Sequence, residues 1–242
     1  MACSVGFSFH LPYIRAVPID NFVHVDEEAV GGSGVGIDER RLTRQQRTAC
    51  VGDRMVIKIT KNERNDKTTC GIAPFGQLPL LEIKDGTSSK SIMLCQSVAI
   101  LRYLANEFGL APETNLEKAF ADMVVDAVMD IRAKIRKCRF ETDAALKEKS
   151  IKEFQESLPT DLKNLEKVLE GNDGGKGYFV GKKLSYADIS FFNFMNSWMA
   201  KDKINGYPDE LKELPLLQGL YERVRDIPAV KTRLKTRPDT VL

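Results

Sequence analysis

Imidazole is nearly absent from this chain: His10 and His24 are the only two histidines in 242 residues. The five cysteines, Cys3, Cys50, Cys70, Cys95 and Cys138, are odd in number, widely spaced and never arranged as C-x-x-C. With so few imidazole partners, neither a disulfide framework nor a zinc site is expected, and a reduced, cytoplasmic setting is. There is no run of about 18 apolar residues to span a bilayer. Residues 1–21 lack the basic start and continuous apolar middle of a signal peptide. Charge of one sign is missing too: Lys+Arg 36 against Asp+Glu 34 leaves a formal net charge of +2. No strong field therefore draws the chain to nucleic acid or to a membrane surface, and neither is expected as a partner. The length allows one large domain or two smaller ones with proper cores, and one domain plus a partner domain fits best.

What is present is clearest over residues 73–83 and 92–104. Residues 80–83 are strand-like in apolar content, Lys84-Asp85-Gly86 supplies turn residues, and residues 91–94 offer a second short strand, so the pair predicts a hairpin. From Ser97 the period changes. Val98, Leu101, Tyr103, Leu104 and Phe108 recur at three- and four-residue steps, predicting a helix with one buried face and Ser97 as its N-cap. Two features here suit a ligand. A cis bond before Pro79 would turn the Leu78 N–H and C=O outward, away from the sheet. Ser97 at a helix start offers a hydroxyl and unpaired N–H groups to an anion, and a peptide carboxylate would suit both places. Read singly, Pro79 is equally an ordinary trans proline at a strand edge, and Ser97 only a cap.

Taken together, the string PFGQLPLLEI, a turn, and QSVAILRYLANEFGL closely resembles the glutathione-binding half of glutathione transferases, particularly the sigma-like class of invertebrates and nematodes. The resemblance covers residues 74–242. It implies an α/β thioredoxin-like N-terminal domain, partly atypical, followed by an all-α helical-bundle C-terminal domain. It further implies that Pro79 is cis and presents the Leu78 backbone to the cysteine of glutathione, while Gln77, Gln96 and Ser97 hold the γ-glutamyl end.

Upstream the pattern fades. Residues 1–37 are read as a divergent, flexible segment. Its glycine run, Gly31-Gly32-Ser33-Gly34-Val35-Gly36, lacks the Lys-Ser/Thr of a phosphate loop and misses the G-x-G-x-x-G spacing. Residues 38–108 are assigned to the thioredoxin-like domain. Val56, Ile57 and Ile59 mark a credible strand where the family has its second. The segment aligned with the family's first helix is too polar to dock: Arg40, Arg41, Arg44, Gln45, Gln46 and Arg47 leave only Leu42, Ala49 and Cys50 for a core. The same alignment puts Ser33 where the sigma-like class carries its catalytic tyrosine, and Arg64 near a tryptophan that touches the glycine end of glutathione. Ser33 and, less directly, Tyr13 are the candidate hydroxyls. Arg64 is a candidate for the glycine carboxylate through a charge-assisted bond, or else a solvated surface charge.

Residues 109–115, with Pro112, form a composition break, and residues 116–242 are assigned to the helical domain. Leu116, Phe120, Met123, Val124, Ala127, Val128, Ile131 and Ile135 predict one long amphipathic helix; Ile151, Phe154, Leu158, Leu162, Leu165, Val168 and Leu169 predict a second. The resemblance makes Asp126 the aspartate that crosses a dimer interface to the glutathione amino group of the other subunit; alone, it reads as a polar-face residue. Related prostaglandin-isomerising members place a metal-binding acidic cluster one turn later, where this chain has Met129 beside Asp130, so no metal is expected. Ser185 and Asp188 form a capping box before an almost wholly apolar helix containing Phe191, Phe192, Phe194 and Trp198, read as core rather than as a cofactor site.

The expected activity is addition of the glutathione sulfur to small hydrophobic electrophiles by a homodimer. The alternative is a non-catalytic relative, binding or structural in role, that has lost the catalytic hydroxyl.

Overall fold

The computed structural model describes residues 47–51, 55–60, 73–77, 79–85, 91–199 and 209–236. The chain divides between Tyr103 and Leu104 into two compact units.

The first unit is built on a four-stranded sheet of order β1-β2-β3-β4, with β1 Arg47–Val51, β2 Met55–Thr60, β3 Leu80–Asp85 and β4 Ser91–Cys95. Each neighbouring pair is antiparallel. The expected hairpin is present as β3–β4, in a register that sets Leu80 opposite Cys95 and Ile83 opposite Ile92. Ala73, Leu80 and Cys95 make a small buried cluster with Met93 packed on it.

The segment aligned with the family's first helix ends instead as β1, which pairs with β2 from Arg47↔Ile59 to Val51↔Met55. A chain too polar to bury a helical face still satisfies its backbone by adding to a strand edge. The domain is atypical for this reason: a thioredoxin-like βαβ unit needs a parallel pair joined by a crossover, and the described strands form a meander.

Helix α1, Ser97–Glu107, buries Ile100, Leu101, Leu104 and Ala105. Val98 and Tyr103, expected on that face, are only half-buried, because at 100° per residue they fall to either side of it. Ile100 N–H donates to Gln96 O at 2.9 Å. Gln96 therefore holds the N-cap position, and Ser97, expected there, is the first helical residue. Gly109, at φ +66°, lets the chain turn back, and the Leu110 and Ala111 N–H groups close on Ala105 O.

The second unit is helical. Its elements are α2 Asn115–Phe140, α3 Ala144–Glu170, α4 Tyr186–Phe194 continuing as a π-helical turn Met195–Met199, α5 Asp209–Lys212, α6 Pro215–Arg225 and α7 Pro228–Thr236. A capping box between Thr114 and Glu117 starts α2. The buried face of α2 is Ala121, Val124, Val125, Val128, Ile131, Ile135 and Cys138. Leu116, Phe120 and Met123, expected in that core stripe, are exposed. Their i, i+4, i+7 spacing is helical but describes a second stripe, turned away from the first. Helix α3 buries Phe154, Leu158, Leu162, Leu165 and Leu169. It is tied to α2 by Lys134 Nζ, 2.6 Å from Asp161 Oδ2, and by the Cys138 thiol donating to Ser150 O.

Every residue of α4 is buried, and its start is secured as expected. The Asp188 carboxylate accepts from Ser185 N–H, Ser185 Oγ and Phe179 N–H, each at 2.8 Å. Burial nonetheless pushes the Asp188 carboxyl up to about 6 against those stabilising bonds. Among the described residues no helix is long and apolar enough to cross a membrane.

Candidate functional site

The β3–β4 register positions the site. Because Leu80 faces Cys95, the residues just before β3 and just after β4 meet at one end of the hairpin. Gln77 and Pro79 arrive there on one side, Gln96 and Ser97 on the other. The approach to β3 is a tight turn in which Gly76, at φ +60°, donates its N–H to Ala73 O at 2.8 Å. Gln77 is exposed and Pro79 buried. On the facing side Gln96 is exposed and Ser97 buried.

Gln96 has φ +71°. A residue with a Cβ is uncommon in the left-handed region, and holding one there costs on the order of 1–3 kcal/mol. That corner aims the chain from β4 into α1, whose first turn, like that of any helix, presents N–H groups without partners inside the helix. No acidic side chain occupies the first turn of α1, which leaves its dipole free to favour an external carboxylate. Two primary amides, a serine hydroxyl and a helix N-terminus suit a zwitterionic, amino-acid-like group: the amide oxygens accept from an ammonium, and the amide, hydroxyl and backbone donors serve a carboxylate.

Leu78, whose main chain was expected to pair with a peptide, lies outside the described residues, as do Ser33, Tyr13 and Arg64. Asp126 is an exposed residue of α2 in the second unit. Among the described residues no group of three or more His, Cys, Asp or Glu is placed to hold a metal ion. The left-handed backbone at Gln96 escaped sequence reading, since neither glycine nor asparagine marks it. The Thr114–Glu117 box carried a visible signal, Thr-x-x-Glu before an apolar run.

The profile of the glutathione S-transferase C-terminal domain matches residues 129–237. A glutathione S-transferase of Plasmodium falciparum is 33% identical over 185 residues, covering 75% of this chain and 78% of that protein. S-crystallin SL11 of Nototodarus sloanii is 33% identical over 167 residues, covering 69% of this chain and 77% of its own. The crystal structure of the glutathione S-transferase from Ascaris lumbricoides superposes with a TM-score of 0.61 at 34% identity, covering 75% of this chain and 84% of that one. Matches of this extent span both units, a thioredoxin-like first domain with an atypical sheet and an all-helical second. The chain is thus a member of the glutathione S-transferase family.

Proposed function

We propose that the protein binds glutathione at the end of the β3–β4 hairpin and adds its sulfur to small hydrophobic electrophiles. The observation that supports this is the register that sets Leu80 opposite Cys95, so that the chain entering β3 through Pro79 and the chain leaving β4 through Gln96 lie at the same end of the hairpin, with Gln96 held left-handed ahead of the α1 N-terminus. In this reading Gln77, Gln96 and Ser97 hold the γ-glutamyl end, the Leu78 main chain pairs with the cysteinyl part, and Arg64 meets the glycine carboxylate. Asp126 reaches the amino group of glutathione bound to the other subunit of a homodimer. The exposed stripe of Leu116, Phe120 and Met123 on α2 supports association of this kind, since apolar side chains gathered on one helical face favour burial against a partner.

The chemistry requires thiolate. A free thiol titrates near ~8.5, and each unit of lowering is worth ~1.4 kcal/mol, so a hydroxyl donating to the sulfur is the useful catalytic group. Ser33 takes that role in the alignment, with Tyr13 the second candidate. The sulfur lone pair forms the new S–C bond, the leaving group departs with its electron pair, and the thiol proton passes to solvent. The protein works in the cytoplasm, where glutathione is available in reduced form.

Calorimetry with glutathione and conjugation of 1-chloro-2,4-dinitrobenzene test this together. Binding with turnover above the buffer rate is expected; no binding by folded protein overturns the reading. A second reading, a non-catalytic binding or structural protein, draws on Ser33 standing where the class has tyrosine and on the crystallin among the relatives. It predicts binding without turnover.

A further inference from the structure

We draw no further inference here: the strongest candidate, the exposed apolar patch of Phe140 and Leu146 where α2 gives way to α3, lies among side chains of both charge signs, and nothing in the structure shows what covers it.

Discussion

The chain bends from an extended segment into a helix in two instructive places, and treats its polar groups oppositely in them. At the start of α4, in the second unit, Asp188 is wholly buried and answers three donors, Ser185 N–H, Ser185 Oγ and Phe179 N–H. At the start of α1, in the first unit, the cap position is held by Gln96, exposed and in a left-handed conformation, and Gln77, ahead of β3, is exposed as well. The first corner consumes its own hydrogen-bonding capacity and is a folding device. The second leaves that capacity open at a cost in backbone strain, as a site awaiting a ligand does.

Removing the carboxylate should break this contrast most severely. Asp188→Ala strands three donors in a site without water access, and unsatisfied buried groups cost about 1–3 kcal/mol each. A total loss of roughly 3 kcal/mol or more is expected, read as a lowered urea midpoint. Glutathione affinity of whatever protein remains folded should be little changed, because the cap touches the helical unit alone. A loss of glutathione binding in a variant of near-native stability would show that the two corners are not separable in this way.

The same carboxyl gives the contrast a pH signature. Its folded value of about 6 lies above the ordinary 3.8 because burial outweighs the bonds it accepts. Between these values the native state holds more proton than the unfolded chain. The group's contribution to stability therefore declines as pH rises from about 4 to about 6, by up to roughly 3 kcal/mol, and is level above that. Carbon-13 titration should find one carboxyl resonance with a midpoint near 6. Asp188→Asn should make the slope of unfolding free energy against pH more positive between pH 4 and 6. A carboxyl titrating at its ordinary value would mean that the three hydrogen bonds fully offset desolvation, and one titrating below it that they outweigh it.

At the other corner the expected effects have opposite signs. Gln96→Gly relieves the left-handed strain, so stability should hold or rise by up to about 1 kcal/mol. The side-chain amide is lost, and glutathione should bind about ten-fold more weakly, near the ~1.4 kcal/mol of one good hydrogen bond. Stability that falls together with affinity would assign Gln96 to the scaffold rather than to the ligand.

What could be read in advance follows the same division. The β3–β4 hairpin was legible because residues 80–83 and 91–94 flank turn residues, and the α4 cap because Ser185-x-x-Asp188 precedes an apolar run. Both are local patterns in which side-chain type dictates conformation. The strand β1 was not legible: Arg47-Thr48-Ala49-Cys50-Val51 has no clean alternation, and it is strand because β2 offers an edge. Nor was the Gln96 corner, since the surrounding structure, not the residue, imposes its φ. On α2, periodicity gathered Leu116, Phe120 and Met123 with Val124 and Val128, because hydrophobicity counts apolar positions without saying what covers them. The stack of the Arg132 guanidinium on the Trp198 ring joins residues 66 positions apart and left no trace in local patterning.

That uncovered stripe supplies the mildest test. Phe120 is 48% exposed and Met123 45%, so neither contributes much to the core of its own unit, and Phe120→Asp should alter unfolding of the isolated chain by no more than about 0.5 kcal/mol. If two copies associate through this face, the introduced carboxylates are desolvated there, and sedimentation should show the dimer replaced by monomer at micromolar concentration. Because Asp126 lies on the same helix and is proposed to serve the other subunit's glutathione, affinity for the tripeptide should fall with the dimer, and Asp126→Asn should lower it while the dimer persists. A Phe120→Asp protein that remains dimeric and binds glutathione normally would place the contact elsewhere and return Asp126 to an ordinary surface position.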